Sequence, residues 1–384
     1  MHSTTAPPDR LGPHRRDAGR DRWLPLTAAA AVLTVLVAPA VVACSADRQS
    51  TENLAAGRGA DKVTYLTAFG TPGREGFVFL GKDKGYFSEN QIDLEVVGGA
   101  AGDKNFQMIV AGQAQFAAVD YTGVAMLAGN HRLGAGKDQL GDFKIVAALQ
   151  PTTLIALMAK TNRGIVTPRD LAGKRLGIAS GAVPEKLWPG YAKLAGIDAS
   201  HTKIVNFAPP QLPAMLAGDK VDAVGIFVTG KPGVAQAVRP SQVTVLPYGD
   251  YMNDLYGNVL IARSDLIERD PGLVRRFTAA LIKSLTYSVQ NDQTAAECGK
   301  ATHKAAPATD KDTATEEIKE MRNWVKVGPA NEPIGSLDPA RVRKGLSLLR
   351  SLGLIADSDI DPASFVDFTI TSTPKPVDRR RSTR

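Results

Sequence analysis

The stretch Ser180-Gly181-Ala182-Val183-Pro184 carries the strongest local signal for chemistry. It reads as a strand end, a glycine that permits close backbone approach, and a proline suited to a first helical turn. A helix N-terminus presents unpaired N–H groups and a partial positive charge, so what this loop offers is binding. Other loops that follow strands carry comparable groups. They are Phe69, Gly70, Thr71, Gly73, Arg74 and Glu75; then Gly99, Ala100 and Gly102; then Asp120, Tyr121 and Thr122. Further along stand Trp188, one turn into the helix after Pro184, Phe227 and Thr229 at another strand end, and Tyr256 with Asn258. Each has a plainer structural reading. Asp120 suits an N-cap, Arg74 and Glu75 can pair with each other, Trp188 can be core, and Gly98, Gly99 and Gly102 can simply turn the chain.

Two ligand chemistries are open to these residues. An anion such as a sulfonate would use helix N-termini at Gly99–Gly102, Tyr121–Thr122 and Gly181–Val183, with Arg74 as counter-charge. A pyrimidine or flavin would use Phe69, Tyr121, Trp188, Phe227 and Tyr256 as flat walls, and Asp120 or Glu75 to accept ring N–H or amino protons. Acidic side chains repel a sulfonate at close range, so the balance tilts to a planar, amine-bearing heterocycle. Catalysis finds no support. There is no G-x-S-x-G and no H-E-x-x-H, and His131, His201 and His303 lack carboxylate or cysteine neighbours at ligand spacing. Neither a metal site nor a cofactor is expected.

The elements that hold these loops are legible as alternating patterns. Lys62–Ala68 alternates like a strand, EGFVFLGKDKGYF reads as a helix closed by Gly85, and Ile92–Val97 is a second strand ended by Gly98-Gly99. A helix over Lys104–Ala111 and a strand over Gln115–Val119 follow, which implies a parallel sheet with crossover helices. After two apolar runs around Gln150-Pro151 the pattern restarts: helix TPRDLAG, strand Arg175–Ala179, helix Pro184–Ala195, strand Lys203–Phe207. MIVAGQAQFAAV (108–119) and AMLAGDKVDAVG (214–225) echo one another as a helix end, an Ala-Gly stop, polar turn residues and a buried strand, which favours two similar lobes. A long helix then places Leu273, Phe277, Leu281 and Leu285 on one face.

The N-terminal run Trp23–Ala43 is long enough to cross a bilayer, which needs about 20 apolar residues. Its flanks favour export instead. Arg10, Arg15, Arg16, Arg20 and Arg22 precede it, and Val41-Val42-Ala43-Cys44 closes it in a pattern that resembles the lipobox of bacterial lipoproteins. Cleavage before Cys44 and lipidation of its thiol are expected, with a polar leash behind it; the plainer alternatives are an ordinary signal peptide or an anchor helix. If Cys44 carries lipid, Cys298 stands alone and no intramolecular disulfide forms. The 384 residues carry 46 basic and 39 acidic groups, a net charge of +7. Residues 1–43 hold five Arg and three Asp, and the tail PKPVDRRRSTR five basic residues and one Asp, so the chain between is close to neutral and has no nucleic-acid footprint.

With these segments placed, the chain resembles the periplasmic-binding-protein family that serves uptake of thiamine pyrimidine precursors, riboflavin, aliphatic sulfonates, taurine and nitrate. The resembling segments are GFVFLGKDKGYFSENQIDLEVV, VAGQAQFAAVD, TPRDLAGKRLGIA, MLAGDKVDAVGIF and YGNVLIARSDLIERDPGLVRRFTAALIKS, in the family's order, over roughly residues 61 to 295. Phe69 stands where the family often carries Trp. The resemblance implies an α/β, two-lobed type II periplasmic-binding-protein fold, hinged by two crossing strands near Pro151 and Tyr248, with the ligand in the cleft. It also implies an extracytoplasmic, lipid-anchored, monomeric solute carrier that hands its cargo to an ABC permease and its ATPase. The expected divisions are signal peptide 1–43, linker 44–60, first lobe 61–153, second lobe 154–248, return 249–303, C-terminal helical region 304–372 and a disordered basic tail 373–384. The alternatives are a pyrimidine-synthase-like enzyme on the same fold, whose cysteine-rich iron motif is missing here, and a sensing module without transport.

Overall fold

The structure, a computed structural model, describes residues 59–100, 102–134, 139–325 and 333–371. The readings made of residues 1–58, Cys44 and its lipid among them, and of the basic tail lie outside these residues. Among the described residues no helix is long and apolar enough to cross a membrane.

The chain opens with β1 (Asp61–Leu66) and a two-residue β2 (Phe69–Gly70), then α1 (Gly76–Asp83), β3 (Ile92–Val97), a two-residue β4 (Gly99–Ala100), α2 (Gly102–Val110), β5 (Phe116–Asp120), α3 (Tyr121–Gly129) and β6 (Phe143–Ala148). A second series follows: β7 (Ile155–Lys160), β8 (Arg175–Ile178), α4 (Val183–Ala195), β9 (Lys203–Asn206), α5 (Leu212–Ala217), β10 (Ala223–Phe227), α6 (Lys231–Ala237) and β11 (Val243–Pro247). Then come β12 (Asn258–Arg263), α7 (Ser264–Arg269), α8 (Pro271–Ser288), α9 (Asp292–Ala305), α10 (Lys311–Val325) and α11 (Pro339–Ser351).

The strands form two five-stranded sheets, β3-β1-β5-β12-β6 and β11-β7-β10-β8-β9, each the floor of one lobe. The echoing segments fall at equivalent places. β5 lies between β1 and β12, and β10 between β8 and β7, each the third strand of its sheet and each fed by a helix that stops at a glycine. β5 and its neighbours are buried on both faces, which its run of small and apolar residues, Phe116-Ala-Ala-Val119, permits. α8 covers the first sheet. Asp270 caps it by accepting from the Leu273 amide, Pro271 opens it, and Phe277 stacks on Phe116 with ring centroids 4.0 Å apart. Leu273, Phe277, Leu281 and Leu285 form the buried face, as their spacing predicts.

Two expectations need correction. The sheets are mixed rather than parallel: β12 runs antiparallel to β5 and β6, and β7 antiparallel to β10 and β11. These two strands enter directly from the opposite lobe, with no crossover helix to reset their direction. The segment TPRDLAG forms only a four-residue 3-10 turn, Pro168–Leu171, opened by Asp170, whose Oδ2 accepts from the Thr167 amide and hydroxyl.

The chain crosses between sheets at residues 149–154 and again at 248–257, and the two crossings are hydrogen-bonded to each other. Leu149 and Gln150 amides donate to the Asn258 carbonyl, the Thr153 amide to Leu255, and the Asn258 amide to the Gln150 side-chain oxygen at 2.9 Å. The result is a paired hinge with few free backbone groups.

Candidate functional site

The first wall of the cleft is a loop that one buried side chain holds in shape. β2 and β4 pair antiparallel, Phe69 opposite Ala100 and Gly70 opposite Gly99. Asn105, in the first turn of α2, is 1 % exposed. Its Oδ1 accepts from the Ala100 amide at 2.8 Å, and its Nδ2 donates to the carbonyls of Thr67 at 3.0 Å and Ala68 at 3.1 Å. The Thr67 hydroxyl accepts from the Gly99 amide at 3.0 Å and donates to the Gly70 carbonyl. Gly99 fits only without a side chain: a Cβ there would lie 1.9 Å from the Thr67 carbonyl oxygen.

Glu75 supports this loop from behind. Both of its carboxylate oxygens accept from the Ala68 amide, at 2.8 and 2.9 Å, and the residue is 2 % exposed. Burial pushes its carboxyl up to about 7, against the nearby charge of Arg74 and the Ala68 amide. With its acceptors already engaged, Glu75 acts on the loop rather than as the free acceptor its position suggests. Thr71 lines neither cavity of the cleft, and its carbonyl accepts from the Thr309 hydroxyl at 2.8 Å.

Arg74 reaches across to the second lobe. Its guanidinium lies 5.1 Å from the ring centroid of Phe227, the last residue of β10, and its Nε is buried with no hydrogen-bond partner among the described residues. No ion pair with Glu75 forms, so the pairing reading fails for these two.

Asp120 and Asn258 sit opposite each other in register, at the end of β5 and the start of β12. Asp120 does two things at once. Its Oδ1 caps α3 by accepting from the Thr122 amide at 2.8 Å, while its Oδ2 is buried without a hydrogen-bond partner among the described residues. Burial pushes the carboxyl up to about 7, with the Thr122 amide and hydroxyl, the Gly123 amide and, most weakly, the charge of Lys186 opposing the rise. The Asn258 Oδ1 is also buried and unpartnered.

These groups open on two adjoining cavities between the lobes. The inner one, about 90 Å³, is lined by residues that include Phe69, Arg74, Gly102, Asp103, Asn105, Phe106, Asp120, Gly181, Val183, Lys186, Phe227 and Asn258. The outer one, about 630 Å³, is lined by Phe69, Gly102, Asp103, Lys104, Ser180, Gly181, Asn206, Phe207 and Gln211. Two cations, Arg74 and Lys186, and two carboxyls, Asp103 and Asp120, therefore line the inner space together with three phenylalanine rings. Among the described residues no group of three or more His, Cys, Asp or Glu is placed to hold a metal ion.

Five further predicted contacts lie elsewhere. Trp188 is 3 % exposed and packs beside Tyr191 in the second lobe's core. Val183 and Lys186 are one turn apart and face the cleft; Trp188, five residues after Val183, lies on the opposite side of α4. Tyr121 and Tyr256 pack edge to face at 5.4 Å on the α11 side of the first sheet. The Tyr256 hydroxyl accepts from the Asp338 amide at 2.9 Å, and the Arg341 guanidinium lies 4.0 Å from its ring centroid. Thr122 and Thr229 are fully buried and line neither cavity. The lining residues missed include Asp103, Lys104, Asn105, Phe106, Lys186, Asn206 and Phe207. Lys186 was within reach of sequence reasoning, since the helical period from Val183 selects it over Trp188.

A model of the NMT1/THI5-like family matches residues 75–295. No curated protein sequence matches the chain. Among solved structures, the nitrate-binding protein of Synechocystis PCC 6803 is similar with a TM-score of 0.63 at 12% identity, over 81% of this chain and 87% of that one. The alkanesulfonate-binding protein of Xanthomonas axonopodis pv. citri, bound to MOPS, gives 0.60 at 13% identity, over 81% and 98%. The aliphatic sulphonate binding protein of Escherichia coli gives 0.59 at 15% identity, over 81% and 92%. These likenesses show the fold, the two-lobed architecture of periplasmic binding proteins.

Proposed function

The chain belongs to the NMT1/THI5-like family, and from that premise we propose that it is the extracytoplasmic solute-binding component of an ABC importer, taking a small planar heterocycle with amino or ring N–H donors into the cleft. One observation carries the choice of ligand. Asp120 Oδ2 and Asn258 Oδ1 are neighbouring acceptors on paired strands, both buried, both unpartnered and both at the inner cavity. A buried acceptor left unpaired costs about 1–3 kcal/mol, which a donor-bearing ligand recovers. Phe69, Phe106 and Phe227 supply apolar walls for a flat ring, and Arg74 supplies a donor for a ring nitrogen or carbonyl.

A second reading has its own support. Arg74 and Lys186 border the same cavity, and Lys104 the outer one, so a sulfonate head has cations to meet. Solved relatives of the fold bind alkanesulfonate and nitrate. Against it stand Asn258 Oδ1 and, in its ionised form, Asp120 Oδ2, acceptors that an oxoanion cannot satisfy. Mass spectrometry of the solute released by denaturing freshly purified protein tests the function directly. An aminated heterocycle is expected at one equivalent; a reaction product formed from an added heterocycle would replace the carrier by an enzyme.

In this reading closure of the lobes about the paired hinge buries the solute and presents a shape to the permease and its ATPase, and the carrier acts as a monomer. Lipid on Cys44 holds it at the outer face of the membrane. Metabolic labelling with a radioactive fatty acid is expected to mark the wild-type protein and leave Cys44→Ser unlabelled; equal label in both removes the anchor from the proposal.

A further inference from the structure

We infer that Glu317, on α10 and beyond the span matched by the family model, is a positioning residue for Arg74. The inference rests on the reading of the cleft as a solute site, because Arg74 matters only if something binds there. Its geometry stands apart from that reading. The Arg74 amide donates to Glu317 Oε2 at 3.0 Å across 243 positions of sequence. The turn is also seated on the helix without clearance: a Cβ on Gly73 would lie 2.3 Å from the Ala314 Cα. Glu317 thus engages the backbone of Arg74 and leaves the guanidinium to extend over Phe227.

The same helix reaches the other rim of the cleft. α10 packs on α6 and on the turn Val228–Gly230 that follows Phe227. Lys231 of α6 pairs with Glu320 at 3.6 Å, and Glu320 also accepts from the Trp324 indole N–H at 3.3 Å. Arg74 and Phe227, the two residues in contact across the cleft, are therefore carried on one helix from opposite sides. Burial holds the Glu317 carboxyl above its ordinary range, while the charge of Arg74 and the amides of Arg74 and Gly73 oppose that rise.

Two measurements on the full chain test this. Hydrogen exchange on the solute-free protein is expected to quicken at residues 73–76 by about fivefold in Glu317→Ala, the worth of one hydrogen bond, and by less in Glu317→Gln, which keeps an acceptor oxygen. Unchanged exchange there, or an equal rise across both lobes, overturns the assignment. A binding cycle with an aminopyrimidine and with MOPS, on Glu317→Ala, Arg74→Ala and the double variant, supplies the second readout. Glu317→Ala is expected to weaken whichever probe binds by about fivefold, and to add nothing once Arg74 is Ala. Additive losses mean that Glu317 acts on stability alone. If neither probe binds the wild type, the proposed function falls, and the exchange result still decides the role of Glu317.

Discussion

Asp120→Asn is expected to lower the affinity for an aminopyrimidine by roughly tenfold to a hundredfold, the worth of one charge-assisted hydrogen bond, with little loss of fold stability. The separation of the two effects comes from the two oxygens. Oδ1 caps α3 through the Thr122 amide, and an Asn side chain keeps that acceptor. Oδ2 has no hydrogen-bond partner among the described residues, and in the variant its place is taken by an NH₂ group that repels a ligand donor. The same carboxyl makes binding pH-dependent. Its pKa lies at about 7 in the folded protein, so below that pH the ligand must displace a proton and above it the carboxylate is ready. Affinity in the wild type therefore rises with pH through about 7 and levels off beyond. Asp120→Asn is flat over the same range. Equal affinities, or a flat wild-type profile, would make Asp120 a helix cap and nothing more.

The second large effect belongs to Gly99. Gly99→Ala forces a methyl group to within 1.9 Å of the Thr67 carbonyl oxygen and 2.7 Å of the Asn105 side chain. Neither can yield cheaply, because Asn105 ties together residues 67, 68 and 100. A loss of about 3 kcal/mol in urea unfolding is expected, at the top of the usual range for overpacking. Gly102→Ala is the control. Gly102 has a φ of +52° but nothing within 4 Å of an added Cβ, so its cost stays near the roughly 1 kcal/mol of a left-handed residue. Equal losses in the two variants would show that the loop relaxes around Gly99.

Much of the scaffold was legible because its signals are local. Alternation marks β1 and β3, and the echoing segments land on β5 and β10, whose sheet neighbours correspond. Strand direction is not local: nothing in the composition of Ile155–Lys160 or Asn258–Arg263 says that each arrives from the other lobe. The site divides along the same line. Asp120, Asn258, Phe69, Arg74, Phe227 and the loop Ser180–Val183 line the cavities and could be singled out because they follow or open strands, where ligands gather in open α/β sheets. Tyr121 and Tyr256 obey that rule and still face away, since their partners, Val342, Asp338 and Arg341, lie on a C-terminal stretch with no motif. Asn105 and Glu317 escaped for a related reason. Each is an ordinary polar residue of a helix whose partners are distant in sequence, so only the folded chain reveals what it holds.

Titration calorimetry of the wild-type protein with an aminopyrimidine, riboflavin and MOPS puts the central claim to its most direct test. One-to-one binding of the aminopyrimidine, stronger than that of MOPS, is expected. Saturable binding of MOPS with no heat from either heterocycle would contradict it, and would assign the cleft to an anion held by Arg74 and Lys186.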